Sequence, residues 1–372
     1  MVTPTRESIS TESFATENTP QNMKSIVMRD GSIHLETQPV PEPGPGQVLV
    51  KTLACGICGS DLHLTNHSDE VFDLYKKLGM MPADDSVKPE IMLGHEYSAE
   101  VVAYGPETKA TLPVGSRVTS IPVLMSQQGA AIGVTPEVPG AYSEYFLLDE
   151  ALMLALPEHL PAQAAAVTEP LAVGLHSVKR SGISADEVAL VAGCGPIGLS
   201  VIAALRARGV GHIIASDPRA SGRARALAMG AHEAVDPTAE DEVAKAASVA
   251  GASRLVIFEC VGIHQLLNGF IQRAPVNACL VVTGVHTAES KVNFAYGLVK
   301  ELDIKFSYMC TAEDFAECLQ QLASGEINWR VLWTGKVGID GVSAAFETLT
   351  QPNSHVKVLV EPWRTGALEA VE

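Results

Sequence analysis

The sequence lacks any apolar run that approaches the ~20 residues a membrane-spanning helix requires. Its N-terminal segment has no apolar core of the kind found in secretory signals, and it is too acidic for a transit peptide. Residues 1–22 are polar and show no periodicity, which predicts a flexible tail. These absences predict a cytoplasmic protein.

Basic residues and cysteines are also scarce. Lys and Arg number 26 against 43 Asp and Glu, a formal net charge of −17, so we do not expect a nucleic-acid-binding protein. Seven cysteines in 372 residues do not make a disulfide framework. We expect them to be reduced thiols or metal ligands.

The composition that remains is globular, with 47% hydrophobic and 19% charged residues, and the length suggests two domains. Residues 24–55, 97–123 and 140–148 resemble β-strands separated by turns rich in Gly and Pro. After about residue 170, short apolar runs alternate with helix-like segments, which predicts a doubly wound parallel sheet. The predicted organisation is a β-rich domain of residues 23–170 and 309–372 and an inserted α/β domain of residues 171–308.

A glycine-rich turn, GCGPIG, joins a strand-like run to a helix-like run. Gly193 allows the tight turn, Gly195 lets the backbone approach a pyrophosphate, and Gly198 lets the helix pack on the strand. The helix would begin at Pro196 and Ile197, where its free N–H groups and dipole favour a phosphate. The turn therefore predicts a dinucleotide site.

The cofactor preference depends on Asp217, which lies 19 residues beyond Gly198 at the end of the strand-like run HIIASD. A carboxylate there binds the ribose hydroxyls and repels a 2′-phosphate, so it favours NAD over NADP. Arg219 and Arg223 follow closely and are able to hold a 2′-phosphate, so NADP stays open.

Residue types that bind metals occur in three motifs: CGICGSDLH at 55–63, LGHE at 93–96 and TEPLAVGLH at 168–176. By spacing alone, Cys55 and Cys58 fit a redox pair, part of a zinc site or two small core residues. Together with AGCGPIG, FECVG and KVLVEP, however, these motifs resemble the zinc-dependent medium-chain dehydrogenase/reductase family, in its sorbitol-dehydrogenase-like branch. The resemblance runs from about Met23 to Pro362.

The resemblance implies a GroES-like β-rich catalytic domain plus a Rossmann domain, and a zinc ion held by Cys58, His95, Glu96 and Glu169. In the family, the glutamate of the GHE motif is a ligand or a close exchangeable partner, and Glu169 either binds zinc or holds the zinc-bound water. For Cys55 it implies no role beyond a buried core residue.

The resemblance also implies a proton relay in which Ser60 contacts the substrate oxygen and His63 releases the proton near the surface. Asp61 could equally orient His95. Further cofactor contacts are implied for four positions: Cys260 and Val261 on the adenosine–ribose edge, Val285 at the nicotinamide, and Lys357 at the pyrophosphate.

The sequence departs from the family in two places. Residues 96–193 contain no cysteine, whereas many members hold a structural zinc there with four cysteines, so we expect one catalytic zinc only. The segment between His63 and His95 is longer than in most relatives. Apolar residues recur in it at helical spacing after Ser68, and we expect a short helix. Its Phe72, Tyr75, Met80 and Met81 either wall the substrate pocket or serve packing and subunit contacts.

We therefore predict a zinc- and NAD-dependent dehydrogenase of secondary alcohols or polyols. The alternatives are an NADPH-dependent carbonyl or enone reductase of the same fold and a non-catalytic nucleotide-binding protein. We expect a homodimer or homotetramer, because relatives pair edge strands of the cofactor domain, and the run ACLVVTGV is the candidate edge.

Overall fold

The computed structural model describes residues 19–79, 89–286 and 288–371. The strands are β1 (Asn22–Arg29), β2 (Ser32–Pro39), β3 (Gln47–Gly56), β4 (Ile91–Met92), β5 (Glu96–Tyr104), β6 (Arg117–Thr119), β7 (Val123–Leu124), β8 (Ala130–Ala131), β9 (Tyr145–Asp149), β10 (Leu154–Ala155), β11 (Val188–Ala192), β12 (His212–Ser216), β13 (Glu233–Val235), β14 (Leu255–Glu259), β15 (Cys279–Val282), β16 (Asp303–Phe306), β17 (Trp333–Gly338), β18 (Lys357–Glu361) and β19 (Glu369–Ala370).

The α-helices are α1 (Gly59–Asn66), α2 (Ser68–Lys77), α3 (Ala162–Ala166), α4 (Thr168–Ser181), α5 (Pro196–Ala207), α6 (Ala220–Met229), α7 (Glu242–Ala250), α8 (His264–Arg273), α9 (Phe294–Lys300), α10 (Ala312–Ser324) and α11 (Val342–Thr350). Among the described helices, none combines the length and the apolar character needed to cross a membrane.

The β-rich part is built from both ends of the chain. Strands β10, β6, β5, β3, β18, β17 and β19 follow one another across its main sheet, and β9 also pairs with β3. The C-terminal β18 pairs antiparallel with β3, so strands about 300 residues apart in sequence become neighbours. A smaller sheet of β2, β1 and β4 packs beside it.

The second part is a six-stranded sheet in the order β13-β12-β11-β14-β15-β16, in which every pair is parallel. Its central strands β11 and β14 are buried along their whole length, as expected for a sheet covered by helices on both faces. The order reverses between β12 and β14 around β11, which creates the crevice where such sheets bind ligands. The predicted doubly wound sheet is confirmed.

Helix α4 connects the two parts. Its buried Leu171, Leu175 and Val178 follow helical spacing and belong to one apolar cluster with Ala54 of β3 and residues of α5. The predicted domain boundary between residues 170 and 171 falls inside this continuous helix. Residues 1–18 of the predicted tail lie outside the described residues, and β1 begins at Asn22.

One predicted edge is wrong. The run ACLVVTGV forms β15, which lies between β14 and β16 and has no free edge in the sheet. Strand β16 is outermost instead, and its Phe306 is 67% exposed. Sequence reasoning missed β16 because charged and apolar residues alternate over its four positions, DIKF. The strand therefore lacks the long apolar run that is typical of a buried strand.

Candidate metal and cofactor site

Three of the four predicted metal ligands converge at one end of the main sheet. Strands β3 and β5 pair so that Gly56 stands opposite Glu96, and Cys58 follows two residues later as the N-cap of α1. The ligand atoms of Cys58, His95 and Glu96 all lie within 4.8 Å of one another. A thiolate, an imidazole and a carboxylate at this spacing match the donor set of a tetrahedral zinc ion.

The backbone at Gly56 packs closely against the Glu96 carboxylate. A Cβ at position 56 would lie 2.0 Å from Glu96 Oε2, so only glycine fits beneath that carboxylate. Oε2 itself is buried and has no hydrogen-bond partner among the described residues. Because a buried carboxylate oxygen needs a compensating partner, this unpaired atom fits a bound cation.

The other oxygen of Glu96 is held by Lys357. The Nζ of Lys357 lies 2.7 Å from Glu96 Oε1 and donates to the Ile57 carbonyl at 3.0 Å. Both side chains are only 1% exposed. The predicted pyrophosphate contact of Lys357 therefore needs correction, since a buried ammonium bound to Glu96 has no surface left for a phosphate. It compensates the negative charge of the cluster instead.

Asp61 lies against both Cys58 and His95. Its carboxylate accepts hydrogen bonds from the Cys58 N–H at 3.0 Å and the Tyr142 hydroxyl at 2.6 Å. Its Oδ1 lies 3.4 Å from Nδ1 of His95. Asp61 and His95 are both buried, so the carboxylate holds the Cys58 backbone by a hydrogen bond and lies beside the imidazole, whose Nδ1 has no hydrogen-bond partner among the described residues. Sequence reasoning missed Tyr142, because it is 81 residues from Asp61 and no motif joins the two.

The remaining predicted residues surround the cluster. Glu169 lies in the first turn of α4, where burial and the nearby Glu96 carboxylate raise its pKa. Its carboxylate interacts electrostatically with the cluster. Glu169 is nevertheless not among the residues whose ligand atoms all lie within 4.8 Å of one another. Ser60 is exposed, with Oγ 3.5 Å from Nε2 of His95. His63 lies in the last turn of α1, and its ring is tilted by 32° against the ring of His67, with the ring centroids 4.8 Å apart.

The inserted segment forms the expected helix, α2, beside this site. Its Phe72 is buried in the apolar core of the β-rich part, and Tyr75 packs against the same core. Burial raises the pKa of Tyr75, with further contributions from the nearby Tyr308, Asp61 and Cys58. Met80 and Met81 lie outside the described residues.

The glycine-rich turn has the predicted geometry. Gly193 has φ +93°, and a Cβ on Gly198 would lie 1.8 Å from the Gly193 carbonyl oxygen, so both positions require glycine. A Cβ on Gly195 would meet nothing within 4 Å. Helix α5 begins directly after it with Pro196 at its first position. The open side of this turn leaves the helix N-terminus accessible to a phosphate.

Asp217 lies at the end of β12 with 3% exposure, and four hydrogen bonds reach its carboxylate. Oδ2 accepts from the Cys194 N–H at 2.9 Å and Nη2 of Arg219 at 2.9 Å. Oδ1 accepts from the Arg219 backbone N–H at 2.8 Å and its Nε at 3.0 Å. Arg223 is held by the Asp217 and Pro218 carbonyls and by Asp236. The guanidinium of Arg219 thus binds the carboxylate that was predicted to contact the ribose, and the sequence did not predict this pairing.

Two further loops follow the carboxyl ends of strands at the same edge of the sheet as Asp217 and the glycine-rich turn. Cys260 and Val261 follow β14, and Val261 touches the position where a Cβ on Gly193 would stand. Val285 follows β15, is 67% exposed, and packs its backbone on Gly262. The crevice side of the sheet therefore carries every predicted cofactor residue except Lys357.

Comparisons with known proteins agree with this geometry. Residues 44–158 match the alcohol dehydrogenase GroES-like domain, and residues 196–324 match the zinc-binding dehydrogenase model. The chain is 32% identical over 342 residues to (R,R)-butanediol dehydrogenase of Bacillus subtilis, covering 89% of this chain and 96% of that protein. The chain belongs to the zinc-dependent medium-chain dehydrogenase/reductase family.

Other members of the family are similar over comparable lengths. Sorbitol dehydrogenase of Bos taurus is 29% identical, covering 92% of this chain and 96% of that enzyme. The crystal structure of 2R,3R-butanediol dehydrogenase from Bacillus subtilis superposes with a TM-score of 0.77 at 30% identity, covering 91% and 99%. A Sinorhizobium meliloti structure bound to NADP superposes with a TM-score of 0.75 at 27% identity, covering 92% and 100%. The chain is thus an oxidoreductase of this family.

Proposed function

We propose that the chain oxidises a secondary alcohol or polyol with NAD, using one zinc ion held by Cys58, His95 and Glu96. The observation that carries this proposal is the convergence of these three ligand atoms around the unpaired Oε2 of Glu96. The similar proteins named above are a butanediol dehydrogenase and a sorbitol dehydrogenase, which favours an alcohol with a neighbouring hydroxyl.

The chemistry divides between the bound groups and the chain. A zinc ion in this site supplies a Lewis acid that lowers the pKa of an alcohol oxygen. NAD in the crevice supplies the hydride acceptor. The chain's own residues bind these groups, orient the substrate and move its proton.

The exposed hydroxyl of Ser60 is proposed to accept the substrate proton, and its Oγ lies 3.5 Å from Nε2 of His95. His63 would then release it toward the surface. Burial and the neighbouring His67 lower the pKa of His63, which keeps its imidazole neutral and able to accept a proton near pH 7. Glu169 is proposed as a nearby carboxylate that exchanges with the ligands or holds a water.

NAD is the proposed cofactor because Asp217 stays ionised. Burial opposes its charge, but the hydrogen bonds from Arg219 and the Cys194 N–H outweigh this and lower the pKa of Asp217. A permanent carboxylate at the adenosine ribose disfavours a 2′-phosphate. Arg219 supports NADP as a second candidate, since its side chain is 49% exposed and a 2′-phosphate would compete with Asp217 for its guanidinium.

Tyr75 and Tyr308 are proposed to bound the substrate pocket. Tyr75 lies on α2 and packs against the apolar core of the β-rich part, and Tyr308 lies between β16 and α10. Burial raises the pKa of both phenols, and charges of the predicted metal site raise it further: Asp61 and Cys58 for Tyr75, and Glu169 for Tyr308. Replacing Tyr75 with Ala should enlarge the pocket and raise kcat/KM for bulky alcohols relative to short ones. An unchanged ratio would assign α2 to packing alone.

A homo-oligomer is proposed from the free edge of the six-stranded sheet. Strand β16 is outermost, and the adjoining helix α9 exposes Leu298 and Val299 at 80% each. An exposed apolar patch beside an open strand edge fits a second copy of the chain. Light scattering during size-exclusion chromatography measures the number of chains in the assembly. A monomeric protein would contradict the proposed homo-oligomer.

The deciding experiment combines metal analysis, cofactor binding and turnover. The purified chain should contain one zinc per subunit, bind NADH more tightly than NADPH, and reduce NAD with at least one member of a panel of secondary alcohols, polyols and aromatic alcohols. Zinc-free protein that binds NADPH and reduces enones would support the reductase alternative.

A further inference from the structure

A buried acid–histidine pair lies in the crevice beside the predicted cofactor loops. Glu259, the last residue of β14, is 0% exposed, and its Oε2 lies 2.8 Å from Nε2 of His286. The other oxygen accepts hydrogen bonds from the Val261 and Gly262 N–H groups at 2.8 Å each. One carboxylate therefore ties the loop after β14 to the loop after β15.

The backbone of Glu259 strengthens the same connection. Its carbonyl oxygen accepts hydrogen bonds from the Thr283 and Gly284 N–H groups at 2.9 Å each. Within this framework two buried polar atoms, Nδ1 of His286 and Oγ1 of Thr283, have no hydrogen-bond partner among the described residues. The His286 side chain nevertheless retains 13% exposure. A buried polar atom without a partner indicates a missing one.

The protonation of the ring defines what that partner must be. Nε2 faces a carboxylate, which only accepts hydrogen bonds, so Nε2 carries a hydrogen. In the neutral imidazole, Nδ1 then presents a lone pair. The partner of Nδ1 must therefore bring an N–H or O–H group.

The order of the strands shows which part of the cofactor reaches this point. Asp217 follows β12, and the glycine-rich turn follows β11. His286 follows β15, which lies on the opposite side of β11 from β12. With strands ~4.8 Å apart, β15 is about 14 Å from β12. A dinucleotide whose adenosine lies at Asp217 and whose pyrophosphate lies at the turn extends its other nucleoside toward β14 and β15.

We propose that His286, held by Glu259, binds the nicotinamide-riboside half of the cofactor by accepting a hydrogen bond at Nδ1. The donor is a ribose hydroxyl or the carboxamide N–H₂, the groups of that half that carry such hydrogens. This inference deepens the proposed function and depends on the chain binding a nicotinamide dinucleotide.

The test uses two replacements that each keep one end of the ring. In His286→Gln, the longer amide reaches the position of Nε2 and keeps the contact with Glu259, but nothing occupies the position of Nδ1. In His286→Asn, the shorter amide places a carbonyl oxygen near the position of Nδ1. Calorimetry of the full chain with NADH and with ADP, which lacks the nicotinamide riboside, separates the two halves of the cofactor.

We expect His286→Gln to weaken NADH binding about three- to tenfold, the usual effect of one hydrogen bond. ADP binding should stay within about twofold, and His286→Asn should retain most of the NADH affinity. The matched control is His212→Gln. Nε2 of His212 also faces a glutamate, with Oε1 of Glu233 at 2.9 Å. His212 is the first residue of β12, however, and so lies at the end of that strand away from Asp217. The control variant should bind both ligands like the wild type.

Three results would overturn the inference. NADH binding by His286→Gln at wild-type strength would show that Nδ1 has no role. An equal loss of NADH and ADP affinity would show that His286 only supports the loops. If the wild-type chain binds ADP but not NADH, the inference fails, and so does the proposed cofactor.

Discussion

The metal end and the dinucleotide end of this molecule are organised in opposite ways. At the metal end, side chains from distant parts of the sequence are buried against one another, as in the Lys357–Glu96 pair separated by 261 residues. At the dinucleotide end, β11, the glycine turn and α5 form one continuous local unit. The first region depends on long-range pairing of charges, and the second on backbone shape, so substitutions should affect them differently.

The largest effect should come from removing a metal ligand. Cys58→Ser replaces the thiolate with a weakly coordinating hydroxyl, so zinc content should fall and alcohol oxidation should decrease by roughly 10³-fold or more. NADH binding should persist because the crevice is built separately. Zinc per subunit and kcat measure the two effects.

Cys55→Ser is the matched control, with the same exchange three residues away. Cys55 is fully buried in the apolar core, so the variant should keep its zinc and lose only stability. Loss of zinc in Cys55→Ser, or its retention in Cys58→Ser, would contradict the assignment of the ligands.

Breaking the buried ion pair should affect stability next most strongly. Lys357→Met leaves Glu96 buried without its cation, which typically costs about 3–5 kcal/mol in the free energy of unfolding. The loss should be larger in the metal-free protein, because a bound divalent cation partly compensates Glu96. Denaturant unfolding with and without zinc measures this difference.

An exposed lysine provides the comparison for that variant. Lys336 pairs with Glu369 at 3.8 Å on the surface, so Lys336→Met should change the free energy of unfolding by less than about 1 kcal/mol. Similar losses in the two variants would mean that the buried pair contributes no more than a surface one.

At the dinucleotide end, Arg219→Ala should alter selectivity and leave the metal site intact. Removing the guanidinium frees the Asp217 carboxylate for the ribose hydroxyls and removes a candidate phosphate ligand, so the NAD:NADP affinity ratio should rise about tenfold. Calorimetry with both cofactors measures the ratio. A fall in the ratio would show that Arg219 does not serve a 2′-phosphate.

Arg223→Ala serves as the control for that experiment. Its guanidinium is held by two loop carbonyls and Asp236, so its loss should weaken both cofactors to a similar extent. A selective loss of NADP in this variant would move the phosphate-binding role from Arg219 to Arg223.

The smallest effect should be a shift in pH dependence. The lowered pKa of His63 arises from burial and from His67, so the acid limb of alcohol oxidation should lie below the ordinary histidine pKa of 6.5. Oxidation requires neutral His63, so the rate falls as pH drops through this pKa. His67→Gln removes the repulsion and should move the acid limb upward. A pH profile of kcat that is identical in the variant would show that His67 does not lower the pKa of the group that controls the acid limb.

The parts of the fold set by local periodicity were predicted well. The alternation from 188 to 285 matches β11, α5, β12, α6, β14, α8 and β15, and the helix after Ser68 is α2. Short or boundary-crossing elements such as α4 and β16 were not predicted, because their patterns are too short or span two structural units. The run ACLVVTGV was wrongly assigned to the edge of the sheet for a related reason. An apolar run indicates a buried strand, but it does not reveal which other strand pairs with its outer side.

By itself, the sequence determined the glycine turn and the family, and it predicted the residue types of the metal ligands. These depend on backbone geometry and donor chemistry that each short motif carries alone. Only the tertiary structure decided the partners: Lys357 for Glu96, Asp61 and Tyr142 around His95, Arg219 on Asp217, and Glu259 on His286. Burial makes each of these polar groups need a compensating neighbour, and which neighbour is available depends on how distant strands and loops meet.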